Sequence, residues 1–281
     1  MAEAPRIKIK VKAKAKARPK TQEPVPHRPL KATDLSCIGS HVRKDGTLAK
    51  SIVVEPYHWP IQIFLNGRNN TKVSISESDI ARTHKILCER PRDVYVHAAY
   101  NINLCKPTGT EGDYFTKATA NSLDVALRCG FRGVVVHTGN CVKGSRNSME
   151  DMIRNTKIAL ESTTVECPLL IETPVGCGTE QLVTPEAMVQ FIHDVNDERL
   201  GLCIDTCHVF AAGYDPVEYW QRLHALDALK YVKLVHYNDS ATKKGSHVDC
   251  HAMIGFGHIG LEKLLEFASY ACSLGVPMVR E

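Results

Sequence analysis

Six short apolar runs in this chain each end on a side chain of a type that binds metal ions. Each run has the length and the β-branched or aliphatic composition of a buried strand, and the residues at the six ends are His97, His137, Glu172, Asp205, His236 and Glu281. A single strand that ends in His or Asp indicates little, but six of them place a ligand at the same end of each strand. A parallel sheet closed into a barrel would bring all six side chains into one bowl. The pattern therefore predicts a metal site at one end of a barrel.

Two further strand candidates, 36–42 and 61–65, precede the six runs and bring the total to eight. Helical periodicity fills the intervals, in 76–89, 115–129, 149–162, 185–196, 216–228 and 261–273. This alternation predicts an α/β fold, a single (β/α)₈ TIM barrel. Active sites of that fold lie at the C-terminal ends of the strands, where the six ligand-type residues stand.

Composition separates a basic tail, residues 1–32, from a barrel domain, residues 33–281. Residues 1–31 hold ten Lys or Arg and two Glu, whereas the remaining 250 residues have a net charge of −4. Lys alternates with small apolar residues and then Pro, a composition that predicts disorder. The tail is interpreted either as a solubilising segment or as an arm for polyphosphates or a nuclear address.

The rest of the composition predicts an intracellular protein without a membrane segment. No apolar stretch approaches the ~20 residues of a membrane span, and no secretory signal precedes the tail. The eleven Cys include no CxxC pair, which is typical of reduced thiols.

Three more residues, His208, Asp249 and His251, extend the ligand set to nine. Asp249 and His251 would point the same way from an extended segment, and His208 follows Asp205 by three positions. Side chains of these types suit zinc or a similar ion. Nine ligands exceed one tetrahedral site, so three ions that share a carboxylate are expected. The open positions that remain indicate catalysis rather than a structural role.

Other interpretations of these residues stay open. A His at a strand end is more often structural, and Glu172 or Asp205 could cap a helix or pair with a buried Arg. Cys203 and Cys207 raise the possibility of a Cys-ligated zinc, although Cys203 lies one layer deeper, where a thiol fills a core. No Ser or Cys nucleophile with an adjacent base is evident, which favours hydrolysis by metal-activated water.

Two long segments identify a family by resemblance. CIDTCHVFAAGYD (203–215) and HYNDSATKKGSHVDCHAMIGFGHIG (236–260) resemble the signatures of the endonuclease IV family of apurinic/apyrimidinic (AP) endonucleases, and IGSHV (38–42), HAAYNINL (97–104) and LIETPVGCG (170–178) resemble further blocks. The resemblance implies a zinc-dependent DNA repair enzyme that cuts 5′ to an abasic site, leaves a 3′-hydroxyl and trims blocked 3′ ends. A monomer acting on double-stranded DNA is expected.

The resemblance also implies roles for individual residues. Three Zn²⁺ ions, one of them replaceable by Mn²⁺, would be held by three groups: His97 with His137 and Glu172; Glu172 with Asp205, His236 and Glu281; and His208 with Asp249 and His251. Glu172 and Glu281 would position the attacking hydroxide. Tyr100 and Arg68 match DNA-contacting positions of the family. His258 stands where the family usually has Asn, in a loop expected to contact the DNA backbone.

Further departures accompany the resemblance. Phe256 stands where the family usually has Glu, and His247 where Arg is common. The sequence stops at Glu281, where the family continues into a closing helix that is missing here; either the sequence is a fragment or another element replaces that helix.

Two other functions remain as alternatives. A sugar isomerase or epimerase uses a similar barrel with one or two metals, and a non-catalytic DNA-binding protein would tolerate the loss of ligands. The group of His208, Asp249 and His251 favours the endonuclease over the isomerase, because isomerisation does not need a third ion. The presence of all nine ligands argues against the non-catalytic protein.

Deletion of residues 1–32 is expected to weaken nonspecific binding to duplex DNA and to flatten its dependence on salt, because each cation that neutralises a phosphate adds about 0.9 to the logarithmic slope. Affinities measured at several salt concentrations test this. A full-length control with Gln at the tail's Lys and Arg positions should behave like the deletion. An unchanged slope would contradict DNA binding by the tail.

Overall fold

The computed structural model describes residues 30–31, 38–57, 59–141 and 147–281. Its main element is a closed barrel of eight parallel strands, as the sequence predicts. The barrel strands are β1 Gly39–Val42, β2 Ile61–Phe64, β3 Val94–His97, β4 Gly133–Val136, β5 Leu169–Glu172, β6 Leu200–Asp205, β7 Val232–His236 and β10 Met278–Arg280. Apart from residues 30 and 31, the tail predicted for residues 1–32 lies outside the described part, as do residues 36 and 37 of the first predicted strand.

Closure of the barrel depends on the last strand, β10, which lies between β1 and β7. Gly39 of β1 pairs with Val279, and Val279 on its other side pairs with His236 of β7. Gly39 also approaches the second strand so closely that a Cβ added there would lie 1.8 Å from the carbonyl oxygen of Pro60. A glycine is therefore required where the ring of strands closes.

The helices are α1 Leu48–Ser51, α2 Glu77–Glu89, α3 Glu111–Cys129, α4 Ser148–Leu160, α5 Pro185–Val195, α6 Thr206–Ala211, α7 Pro216–Ala225 and α8 Leu261–Ser273. The sequence predicts six of them, but the third begins at residue 111 rather than 115 because Thr110 caps it by accepting the Gly112 N–H. The short helices α1 and α6 were not predicted. Within the described residues, no helix has the length and apolar character needed to cross a membrane.

Apolar side chains fill two layers of the fold. The interior of the barrel holds a cluster of Tyr95, Val135, Leu170, Cys203, Leu234 and Val279. A larger core lies between the strands and the surrounding helices. Cys203 therefore fills the barrel interior beneath Asp205, and burial raises the pKa of its thiol to about 12. A neutral, enclosed thiol at this depth matches its predicted role as core filler.

A small hairpin was not predicted, and it organises the loop before α8. Its strands are β8 Asp239–Ser240 and β9 His251–Ala252. The fully buried carboxylate of Asp239 accepts hydrogen bonds from the backbone N–H groups of Gly255, Gly257 and Ile259 at 2.9 to 3.0 Å. One carboxylate thus fixes the course of the loop that carries Phe256 and His258.

Arg92, just before β3, holds the connection between α1 and β2 in place. Its guanidinium, largely buried, donates hydrogen bonds to the carbonyl oxygens of Ile52, Val54, Pro56 and Trp59 at 2.7 to 3.1 Å. These carbonyls belong to the connection between α1 and β2, which has no regular structure to satisfy them. The side chain therefore replaces secondary structure as their partner.

Substitution Arg92→Met is expected to lower the free energy of unfolding by about 3 kcal/mol, because it removes four hydrogen bonds of a charged donor, one of them buried and three partly buried. Urea denaturation measures this. The matched control is Arg132→Met, which removes an exposed ion pair with Asp93 and should change stability by less than about 1 kcal/mol. Equal effects of the two variants would contradict the structural role of Arg92.

Candidate metal centre

The carboxylate of Glu172 lies at the centre of the bowl, among four imidazoles. Its Oε2 is 3.2 Å from the Nε2 atoms of both His97 and His137. Its Oε1 is 2.9 Å from Nδ1 of His236 and 3.3 Å from Nδ1 of His208. Glu172 is only 1% exposed, so this charge has no water to stabilise it and depends on its neighbours.

Three groups of neighbouring side chains in the structure together contain all nine sequence-predicted residues, and Glu172 belongs to two of them. Within each group, one potential ligand atom per residue lies within 4.8 Å of all the others. The groups are His97, His137 and Glu172; Glu172, Asp205, His236 and Glu281; and His208, Asp249 and His251. These are the three sets implied by the resemblance, and their role as metal ligands stays a prediction.

The strand ends place most of these residues directly. His97, Glu172, Asp205 and His236 are the last residues of their strands, whereas His137 and Glu281 follow β4 and β10 by one residue. The third group comes from outside the barrel wall. His208 lies in α6, and the hairpin supplies His251 with Asp249 just before it.

Asp205 serves a helix and the site at once. Its Oδ1 accepts the backbone N–H of His208 at 2.9 Å and so caps α6. Its Oδ2 faces the site, 3.8 Å from Nδ1 of His236 and 3.7 Å from Nε2 of His251. Capping and ligation, which were alternatives for this residue in the sequence, are therefore compatible, because each uses a different oxygen.

Hydrogen bonds to backbone carbonyls orient two of the imidazoles. Nδ1 of His97 is 2.7 Å from the carbonyl oxygen of Ala98, and Nδ1 of His208 is 2.9 Å from that of Thr173. A carbonyl only accepts, so each of these nitrogens donates, and the opposite nitrogen of a neutral ring carries a lone pair.

Those lone pairs face carboxylate oxygens. This arrangement shows whether the residues present fit a bound cation. Nε2 of His208 is buried, makes no well-formed hydrogen bond and lies 3.3 Å from Oδ1 of Asp249. Nε2 of His97 likewise faces Glu172 at 3.2 Å. Two acceptors at such distances repel unless a positive charge lies between them. The positive charge is either a proton on each ring or a metal ion shared by both ligands, and the donor set of imidazole and carboxylate suits zinc.

The pKa values show how strong this mutual dependence is. Burial alone would raise the pKa of Glu172, but His236 and His137 hold it well below its usual range. Burial alone would lower the pKa of His208, but Asp205, Asp249 and Glu172 raise it well above its ordinary value. The carboxylates thus stay charged inside the fold only in the presence of positive charge.

Two buried amides, which the sequence analysis missed, hold the second group in place. Gln62 of β2 accepts from Nε2 of His236 at 2.8 Å and donates to Oε1 of Glu281 at 2.6 Å. Asn238 donates to Oδ2 of Asp205 at 2.8 Å and accepts the Glu281 N–H at 3.0 Å. The signal for Gln62 was a lone polar residue inside the apolar strand IQIF, since such a residue needs a buried partner.

The three predicted DNA-contacting residues lie around this centre but are not part of it. Tyr100 stacks on His137 with 5.1 Å between ring centroids, and its backbone N–H bonds the carbonyl of Arg68 at 2.7 Å. The Arg68 side chain is exposed. His258 is also exposed, on the loop before α8. Tyr100 alone of the three touches a proposed ligand, and the DNA-contacting role of all three stays a prediction.

A cavity of about 390 Å³ opens beside the shared carboxylate. His137, Glu172, His208 and Asp249 line one side of it. The wall opposite comes from the loops that carry Cys177, Glu180 and His247, among others. Parts of all three groups are therefore accessible to a substrate.

A Cys-ligated centre is disfavoured by the state of its nearest thiol. Cys207 lies close enough to Asp205 and His251 to form a group with them. However, burial raises the pKa of this thiol to about 12, and its Sγ donates to the carbonyl of Cys250 at 3.6 Å. A neutral thiol is a poor metal ligand, and the hydrogen bond of Cys207 to the Cys250 carbonyl favours a packing role beside the site.

Substitution Gln62→Leu is expected to weaken metal binding by about 10- to 100-fold, because it removes the amide that orients His236 and Glu281. Competition with a zinc chelator, followed by metal analysis, measures the affinity. Gln190→Leu, on the exposed face of α5, is the matched control and should bind like the parent protein. Unchanged affinity in Gln62→Leu would show that the amide only fills space.

Comparison with known proteins places this geometry in a family. A model described as xylose isomerase-like TIM barrel matches residues 61–269. The chain is 31% identical over 260 residues to "Probable endonuclease 4" of Oceanobacillus iheyensis, covering 87% of this chain and 86% of that protein. Endonuclease IV from Thermus thermophilus matches with a TM-score of 0.69 and 25% identity, over 87% of this chain and 91% of that chain. A D-tagatose 3-epimerase-like protein, 18% identical with a TM-score of 0.63 over 86% of this chain and 90% of that chain, shows the fold alone. The chain therefore belongs to the endonuclease IV family within the xylose isomerase-like TIM barrels.

Proposed function

We propose that this protein is a metal-dependent AP endonuclease, which hydrolyses the phosphodiester 5′ to an abasic site and leaves a 3′-hydroxyl. The observation that carries the proposal is the contiguous set of three ligand groups, in which Glu172 belongs to two. Three Zn²⁺ ions, one of them replaceable by Mn²⁺, are the proposed cofactors. The same site would act on blocked 3′ ends, since these also present a phosphate ester beside a 3′ oxygen.

The bound ions would supply Lewis acidity and a water of lowered pKa. Glu172 belongs to the first and second groups and Glu281 to the second, and Nδ1 of His236 lies 2.9 Å from an oxygen of Glu172 and 3.3 Å from one of Glu281. A proton released from an attacking water would therefore meet two carboxylates held in fixed positions. Gln62 donates to the carboxylate of Glu281, and Asn238 accepts its backbone N–H, so the orientation of Glu281 is set before substrate arrives.

The charges around the bowl favour a polyanionic substrate. Cationic side chains stand on the loops that follow the C-terminal ends of barrel strands: Arg43 and Lys44 after β1, Arg68 and Lys72 after β2, and Lys243 and Lys244 within the hairpin. These loops surround the same end of the barrel as the ligand groups. A nucleic acid backbone satisfies such a ring of cations, whereas a neutral sugar does not.

Tyr100 supplies a physical basis for the choice of an abasic nucleotide. The ring is 37% exposed and is held by edge contacts with Phe64 and His97 as well as by its stacking on His137. It could rest against a bare deoxyribose entering the bowl. A nucleotide without its base costs less to extrude, because its pairing and stacking are already lost.

The alternatives fit these observations less well. A sugar isomerase or epimerase would need neither the third group nor the surrounding cations, and the fold alone does not favour it. A non-catalytic DNA-binding protein would have no use for a carboxylate shared by two ligand groups. A monomer is proposed for the enzyme, with an intracellular location, and the nucleus is one site to which the tail could direct it.

Substitution Glu172→Gln is expected to abolish cleavage of a duplex with one abasic site, by at least about 1,000-fold in kcat, because it removes the shared charge. Incision is followed on denaturing gels, with circular dichroism to verify folding. The matched control is Glu186→Gln, which alters an exposed ion pair on α5 and should cleave normally. Chelation should stop the parent enzyme, and added Zn²⁺ should restore it.

An intact abasic duplex after incubation with the metal-loaded parent protein would overturn the proposal. Conversion of a ketose to its epimer under the same conditions would instead support the sugar epimerase.

A further inference from the structure

A second cavity, of about 470 Å³, lies between the loops that follow β1 and β2. Its cationic lining consists of Arg43, Lys44 and Lys72. The remaining lining includes the amides of Asn66 and Asn70 and the hydroxyl of Ser74, with Phe64 and Val42 as its apolar part. Among the residues that the structure describes, no acidic side chain lines it, so the cavity is suited to an anion.

None of the three cations of this cavity has an ion-pair partner among the described residues. Some cations elsewhere on the surface do have one, as in Arg132 with Asp93 and Lys230 with Asp227. Unpaired cations that converge on one cavity repel each other, which costs stability unless an anion joins them.

Lys44 is the cation of this cavity whose charge is most clearly disfavoured by its surroundings. Its side chain is half-buried, and burial lowers the pKa of its ammonium group, an effect that Asp79 only partly offsets. The Asp79 carboxylate is already engaged by the backbone N–H groups of Leu48 and Ala49, at 2.7 and 3.1 Å. A partly desolvated ammonium without a carboxylate of its own gains from an incoming anion.

The loop that forms the opposite wall is held in one conformation by its own hydrogen bonds. The backbone N–H of Lys72 donates to Oδ1 of Asn70 at 3.0 Å, and the N–H of Asn70 donates to the carbonyl of Gly67 at 3.1 Å. The Asn66 amide donates to the Lys72 carbonyl. The polar wall is thus formed before an anion binds, which lowers the entropic cost of binding.

Phe64 separates this cavity from the metal centre by the width of one aromatic ring. The ring lines the cavity and lies 5.2 Å from His97, 4.5 Å from His41 and 5.3 Å from Tyr100, measured between centroids. An anion in the cavity would be a close neighbour of the reacting phosphodiester. Consecutive phosphates of one DNA strand are related in this way.

We propose that the cavity formed by Arg43, Lys44 and Lys72 binds an uncleaved backbone phosphate of the abasic strand, next to the phosphodiester that is cut. The proposal rests on the proposed function. A phosphate bound in this cavity would fix the position of the DNA strand along the protein. The abasic nucleotide, and not its neighbour, would then lie over Glu172.

The test combines a variant, in which Ala replaces both Lys44 and Lys72, with DNA substrates in which one phosphate is uncharged. Abasic duplexes are made with a single methylphosphonate, which removes one phosphate charge, at successive positions of the abasic strand. In the parent enzyme, one position near the abasic site should raise KM by about tenfold, as expected for a charged hydrogen bond. In the variant, KM should be about tenfold higher with the normal duplex and should not rise further with that methylphosphonate.

The salt dependence of kcat/KM gives a second measure. Its logarithmic slope should fall by about one in the variant, because one phosphate fewer is neutralised by the protein. Arg82→Ala, on the exposed face of α2, is the matched control and should leave KM and the slope unchanged. Metal content should be the same in the variant as in the parent enzyme.

Additive effects of the variant and every methylphosphonate would overturn the phosphate site, even when the parent enzyme cuts abasic DNA normally. An effect confined to a terminal phosphate, with none at internal positions, would also overturn it. Absence of cleavage by the parent enzyme would instead refute the proposed function, so the two failures are distinguishable.

Discussion

The buried charge of Glu172 is the constraint on which the rest of the site depends. A carboxylate that is 1% exposed cannot remain ionised in a protein interior without compensation. Four imidazoles surround it, yet two of them are fixed by backbone carbonyls so that their free nitrogens face carboxylate oxygens. The cluster therefore has more acceptors than donors, and only positive charge placed between them makes it stable. Metal binding and folding of this end of the barrel are thus expected to be coupled.

The register of the barrel makes this concentration of charge possible. Asp205 pairs with His236 across adjacent strands, and Glu172 pairs with Cys203, two residues before Asp205. Asp205 and His236 therefore lie at one level of the bowl, whereas Glu172 and Asp205 are offset by two residues. A slip of one residue in any strand would turn its ligand to the other face of the sheet. The apolar cluster beneath, which includes Leu170, Leu234 and Val279, fixes that register and so indirectly fixes the ligands.

Much of this site could be predicted because the ends of the strands can be recognised in the sequence. An apolar run followed by His, Asp or Glu specifies both the strand and the direction of its last side chain, and His97, Glu172, Asp205 and His236 lie where that rule puts them. Gln62 and Asn238 were not predicted, because their roles depend on residues far away in the sequence. Gln62 bonds His236, 174 positions away, and Asn238 bonds Asp205, 33 positions away. The hairpin of β8 and β9 was missed because two-residue strands carry no period, and α6 because it begins within a strand-end motif. Local sequence patterns predict the strands and helices. The side chains that hold the predicted ligands in place depend instead on contacts between distant parts of the chain.

The distribution of charge connects the centre with its surroundings. The interior of the bowl is rich in carboxylates, which would repel a polyanion if no cations were bound. The loops outside it carry Arg43, Lys44 and Lys72, whose charges are not matched by carboxylates among the residues lining their cavity. A nucleic acid strand approaching this end of the barrel is therefore attracted first by the loops, and by the centre only when metal ions neutralise its carboxylates. Occupied metal sites would in this way control substrate binding as well as chemistry, because the sign of the potential at Glu172 depends on them.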